Sequence, residues 1–102
     1  LSNEQKYLNM IGLATRARKT TFGEEQIIKD VKRGQAKLVL IASDIGLQTS
    51  KKLTDKCTFY QVPCRKMIID RDRLSHAVGK SGRVAVAITD EGFAKKICSL
   101  LD

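Results

Sequence analysis

Two runs leave this chain few ways to fold: KLVLIA at residues 37–42 and VAVAI at residues 84–88. Each has the length of a strand, and apart from Lys37 each is apolar at every position rather than at every second one. A strand with that pattern has no face to give to water, so it belongs inside a sheet covered on both sides. The first run is expected to be central, and the rest of the sequence must supply the covers.

It does so with helical periodicity. Ser2, with Gln5 three residues later, forms a capping box, and Leu8, Met10, Ile11, Leu13, Ala14 and Ala17 make an apolar stripe that predicts a first helix to about Arg18. A short extended piece at residues 20–22 leads to Gly23. Beyond it, Ile27, Ile28 and Val31 mark the buried face of a second helix that Gly34 stops. A third helix is expected from Thr49 to about Cys57, with Leu53 and Cys57 inward. Val62-Pro63 breaks the pattern, and residues 65–69 predict a strand near an edge, because it carries Arg65 and Lys66. Asp70 or Asp72 caps a short helix ended by Gly79. Asp90 caps the last, in which Phe93, Ala94, Ile97, Leu100 and Leu101 recur at helical spacing. Strands alternating with helices predict an α/β fold, a largely parallel or mixed sheet with helices on both faces. At 102 residues, with no linker and no internal repeat, one domain is expected.

Charge narrows the partners. Lys and Arg number 19 against 11 Asp and Glu, a formal charge of +8, which favours polyanions through counterion release and puts nucleic acid first. Aromatic residues are 5% of the chain, with no Trp, so holding single strands by stacking bases on exposed rings is not expected; recognition should be polar and directed at the backbone. Three scattered cysteines, Cys57, Cys64 and Cys98, do not make a disulfide framework and suit a reducing, cytoplasmic setting. Their spacing is wrong for structural zinc, so they read as buried thiols, and no metal or cofactor is expected. No window approaches the ~18 apolar residues of a membrane span, so no membrane partner is expected.

The loop after the short helix, GKSGR at residues 79–83, contains the closing letters of a phosphate-binding P-loop. The motif fails on two counts. Leu74 stands where its first glycine should be, and a helix precedes the loop and a strand follows, the reverse of the P-loop order. A nucleotide hydrolase is therefore not expected. Gly79, Lys80, Ser81 and Arg83 still offer backbone amides and two cations to a phosphate, although the same residues would make an ordinary solvated turn.

Two further constellations carry a double reading. Arg16, Arg18 and Lys19 close the first helix, where the dipole alone accounts for cations; with Lys29, Lys32, Arg33 and Lys37 they become a candidate stripe for phosphates. At the second helix, Glu25, Gln26, Lys29 and Arg33 fall opposite Ile27, Ile28 and Val31. Glu25 and Lys29 are spaced to pair with each other, and the whole face can both donate to and accept from base edges. His76, the only histidine, has no serine or cysteine tied to it by spacing and reads as a surface residue, so no catalytic group is expected.

In order and spacing, LATRARK (13–19), the glycine and polar residues at 23–29, RGQAKLVLIASD (33–44), Val62-Pro63, LSHAVG (74–79) and VAVAITDEGF (84–93) resemble the small bacterial branch of the L-seven-Ae ribosomal protein superfamily, over nearly the whole chain. The resemblance implies a three-layer α-β-α sandwich with a mixed four-stranded sheet. It also implies binding to kink-turn RNA, a sharply bent duplex with sheared G·A pairs. In that family the start of the second helix enters the groove at those pairs, and the loop before the last strand holds a flipped-out nucleotide and nearby backbone. By position, Gly23 matches a close-approach glycine, Gln26 a polar reader of guanine edges and Lys29 a cation at a guanine carbonyl. Glu25 departs from the archaeal pattern, which has Asn there: a carboxylate only accepts and repels phosphate. The loop departs too, since Lys80-Ser81-Gly82-Arg83 replaces a largely apolar, proline-containing version. The expectation is a non-catalytic, monomeric binder of structured RNA with no small-molecule substrate. Two rivals stay open: a basic adaptor for an acidic protein or ribosomal surface, and a detached substrate-binding domain of an RNA methyltransferase.

Overall fold

The computed structural model describes residues 2–102. Its elements run α1 (Asn3–Arg16), β1 (Thr20–Thr21), α2 (Glu24–Lys32), β2 (Leu38–Ile41), α3 (Leu47–Phe59), β3 (Cys64–Lys66), α4 (Arg71–Val78), β4 (Ala85–Ile88) and α5 (Glu91–Leu101). The sheet is mixed, in the order β1-β4-β2-β3, with β4 antiparallel to both neighbours and β2 parallel to β3.

The two apolar runs are the two inner strands, and every residue of both is buried. Their pleat divides the core in two. Leu38, Leu40, Val86 and Ile88 turn to one side, where they meet Ile11 of α1, Leu74 of α4 and Ile97 of α5. Val39, Ile41, Ala85 and Ala87 turn to the other, against Ile27 and Val31 of α2 and Leu53 of α3. The register pairs Leu38 with Ile88 and Val39 with Ala87, so each cross-strand pair delivers both side chains to the same side. Three helices therefore cover one face and two the other, the three-layer arrangement expected of the α/β class. No helix among the described residues is long and apolar enough to cross a membrane.

Where boundaries differ from the sequence reading, local chemistry explains the shift. α1 stops at Arg16, two residues early, because Arg18 takes a left-handed conformation (φ 61°) and the Lys19 amide turns back to donate to the Ala14 carbonyl at 2.8 Å. α3 is longer than expected, starting after Gly46 and running to Phe59. β3 is shorter and begins earlier than residues 65–69. It is an edge strand, and after Met67 donates to Ile41 the regular ladder ends, the next backbone bond running from the Ser43 amide to the Ile69 carbonyl; Ile68 is exposed while Met67 and Ile69 stay buried. Asp70, not Asp72, caps α4, accepting from the Arg73 amide at 3.0 Å.

α1 and α4 lie close because Gly12 has no side chain: a Cβ there would sit 3.0 Å from the Ala77 carbonyl oxygen. An ion pair from Arg73 to Glu4 fastens the other end of the same helix pair.

Candidate nucleic-acid interface

α2 opens without a side-chain cap. Gly23 holds φ 87° and ψ 135°, a conformation that favours glycine, and the first intrahelical bond runs from the Ile27 amide to the Gly23 carbonyl at 2.9 Å. The amides of the first turn are thus left free to meet an acceptor, and the helix dipole makes that end attractive to anions. Among the described residues nothing lies within 4 Å of where a Gly23 side chain would project, so a ligand backbone can come close there.

Beside this mouth stands the loop from Gly79 to Arg83. Gly79 ends α4 in a left-handed conformation (φ 70°), and the Lys80 amide donates to the Ser75 carbonyl. At the far end the Arg83 amide donates to Ser75 Oγ at 2.9 Å, so one serine of α4 pins both sides of the loop. What joins the loop to the helix mouth is Phe22. The Lys80 ammonium lies 5.9 Å and the Arg83 guanidinium 5.2 Å from the centre of its ring, each within cation-π range. Among the described residues the half-buried Arg83 has no hydrogen-bond partner for its Nε, and the Phe22 ring is the aromatic face beside its guanidinium.

The outer face of α2 and the neighbouring face of α3 border an open groove of about 830 Å³, whose cations are Lys29, Lys32, Lys52 and Lys56. Glu24 and Glu25 are its only acids, and Glu24 is engaged by Lys52 at 3.2 Å. Among the described residues Glu25 and Lys29 form no ion pair, although their spacing suits one. Gln26 donates from Nε2 to Asp30 Oδ1 at 3.1 Å. Asp30 is the buried acid of the fold, so it fixes the amide with its carbonyl oxygen and second N–H free to point outward.

The structure therefore brings together Gly23, Glu25, Gln26, Lys29 and Lys32 with the loop residues Gly79, Lys80, Ser81 and Arg83. It does not extend that group through the end of α1. Arg16 lies in a separate cleft between α1 and α4, beside Asp72, Arg73 and His76, on the opposite helical layer. Arg18 and Lys19 are exposed in the turn beyond it, Arg33 caps the far end of α2, and the Lys37 ammonium is spent on the Gly34 carbonyl at 2.9 Å. The continuous stripe expected from their nearness in sequence is interrupted by the sheet itself. Three participants were not singled out from sequence. Phe22 had a signal in its place directly before the helix-mouth glycine; Lys52 and Lys56 had one in their i, i+4 spacing on the polar face of α3.

No group of three His, Cys, Asp or Glu side chains among the described residues converges as a metal site. Of the cysteines, Cys57 is buried as expected but Cys64 and Cys98 are only partly so. A hydrogen bond from the Cys57 thiol holds the Cys64 thiol down at about 7 against the opposing effect of burial, while the same bond and burial push Cys57 up. Cys64 is accordingly expected to be alkylated by iodoacetamide well ahead of Cys57. Its rate should rise through a midpoint near pH 7 as the reactive thiolate forms, which mass spectrometry of pulse-labelled protein measures.

The sequence profile of the "Ribosomal protein L7Ae/L30e/S12e/Gadd45 family" matches residues 5–98. The RNA-binding protein YlxQ of Bacillus subtilis is 47% identical over 97 residues, spanning 95% of this chain and 96% of the relative. The large ribosomal subunit protein eL8 of Thermoplasma volcanium is 33% identical, spanning 86% of this chain and 73% of its own. A solved protein of unknown function from Bacillus halodurans superposes with a TM-score of 0.91 at 45% identity, covering 95% of this chain and 97% of that one. The Giardia lamblia 15.5kD RNA binding protein superposes with a TM-score of 0.81 over 97% of this chain and 84% of its own; at 21% identity it speaks to the fold alone.

Proposed function

The chain belongs to the ribosomal protein L7Ae/L30e/S12e/Gadd45 family, and on that footing we propose that it is a non-catalytic RNA-binding protein that grips a kink-turn or similarly bent duplex between the mouth of α2 and the α4–β4 loop. The observation that carries this reading is the Phe22 junction. It sets Lys80 and Arg83 beside the uncapped start of α2, so a helix end that can enter a groove and a loop that can hold a backbone act from adjacent positions. The name of the Bacillus subtilis relative, an RNA-binding protein, supports RNA as the partner.

In this reading each residue has a chemical task. Gly23 admits the RNA backbone to the first-turn amides. Gln26, held by Asp30, accepts from a guanine amino group through its carbonyl, and Lys29 donates to a guanine carbonyl. Lys80, Ser81 and Arg83 contact phosphates, with the amide-rich turn between Gly79 and Gly82 behind them. Lys32, Lys52 and Lys56 neutralise the strand that follows the α2–α3 groove. Glu25 is the one element that works against the rest. Glu25→Asn removes a charge facing phosphate and restores a donor, so it is expected to tighten binding about three- to tenfold, read by fluorescence anisotropy.

The proposal is tested by comparing a labelled kink-turn with a straight duplex of equal length at moderate salt. The kink-turn should bind at least tenfold more tightly. With about five phosphates neutralised, log K should fall against log salt with a slope near four. Equal affinity for the two RNAs would leave only a generic basic surface.

A further inference from the structure

We propose that α3 carries a second RNA contact, a strip of Lys52, Lys56, Phe59 and Tyr60 that holds unpaired nucleotides leaving the bent duplex. The proposal rests on the RNA-binding reading above and extends it from the groove, where Lys52 and Lys56 already have a part, to the aromatic pair beyond them.

The strip follows from helix geometry. At 3.6 residues per turn, Lys52, Lys56 and Phe59 fall within about 60° of arc, one above the other. Lys52 and Lys56 already border the α2–α3 groove, so Phe59 continues that border toward the C-terminal end of α3. Tyr60, the C-cap, stands against it edge to face, with ring centres 4.9 Å apart and planes at 74°. Phe59 is 77% exposed and Tyr60 38%.

Among the aromatic residues those two exposures stand apart. The chain has five aromatic residues; Tyr7 is buried, and Phe22 and Phe93 pack partly buried against the core. The two that face water are neighbours in sequence, touch each other, and follow directly on two groove lysines. The low aromatic content leads to the expectation that single strands are not held by stacking on exposed rings, and the placing of Phe59 and Tyr60 side by side departs from that expectation. Among the described residues Lys56 forms no ion pair, while Lys52 is shared with Glu24. A polyanion would find one free and one half-free ammonium leading to a pair of π faces, the combination that single-stranded nucleic acid requires: cations for backbone and rings for bases of any sequence.

The test uses one kink-turn RNA in three forms: blunt, with a three-nucleotide unpaired tail on the 5′ side, and with the same tail on the 3′ side. Wild-type protein should bind one tailed form about tenfold more tightly than the blunt form. A 2-aminopurine in that tail should change its fluorescence on binding. Phe59→Ala with Tyr60→Ala should abolish both the preference and the fluorescence change while leaving the affinity for blunt RNA unaltered. Equal binding of all three RNAs by the wild type would overturn the strip and leave the main site standing. So would a folded double variant, verified by circular dichroism, that keeps the preference or loses blunt affinity by the same factor. Failure of the wild type to bind the blunt kink-turn would instead overturn the underlying RNA reading.

Discussion

Lys29→Glu combined with Lys80→Glu is expected to weaken binding of a kink-turn RNA by roughly a hundredfold or more. Each lysine is assigned a charge-assisted contact, worth about 1.5–3 kcal/mol when made and lost, and reversal adds repulsion to the loss. Both side chains are exposed and neither forms an ion pair among the described residues, so the melting temperature should fall by no more than a few degrees, from the lost Lys80–Phe22 contact of about 0.5–1 kcal/mol. The log–log salt slope should fall by about one, for the phosphate contact that Lys80 loses, since Lys29 is assigned to a base edge. The control is Lys95→Glu with Lys96→Glu on α5, in the opposite helical layer, which changes net charge equally. If that pair costs as much affinity as the first, binding is a matter of total charge and not of place.

Leu40→Ala is expected to do the reverse, removing stability and sparing recognition. Leu40 is fully buried in β2, between β3 and β4, and faces the α1, α4 and α5 layer away from the groove. Deleting three carbons in so enclosed a place costs about 2–5 kcal/mol, the transfer term plus the cavity left behind. Against a total of about 5–15 kcal/mol for a domain of this kind, that is a large share. The melting temperature should drop by at least about 10 °C, measured by circular dichroism, while RNA affinity well below the melt stays within a few fold. A change in melting temperature of only a degree or two would mean that Leu40 is not enclosed as described.

The contrast between these two substitutions shows which parts of the molecule the sequence exposes to reading. Leu40 was readable because burial on both faces of a strand leaves an uninterrupted apolar run, a pattern written in consecutive residues. The inner face of α2 was readable for the same local reason, since Ile27, Ile28 and Val31 repeat at helical spacing. β3 was misjudged because an edge strand takes its length from the partner beside it: Ile68 is apolar yet exposed, and only the ladder to β2 decides where pairing stops. Arg16 and Lys29 looked like one stripe because chain distance between them is short, whereas β1 carries the chain from one layer to the other between them. Phe22 with Lys80 and Arg83 is the opposite case, a contact between distant parts of the sequence that the β1–β4 pairing brings together. The pairing of helix mouth and loop is implied by the family resemblance. The lysines of α3 and the aromatic pair beyond them came only from the packing of α3 against α2.

The most direct test of the two-sided grip is a titration of isotopically labelled protein with a kink-turn RNA, followed by backbone amide chemical shifts. Residues 23–29 and 79–83 should shift together and saturate at the same one-to-one stoichiometry, with the α1–α4 cleft around Arg16 and His76 unmoved. Shifts confined to one of the two segments, or centred on that cleft, would contradict it.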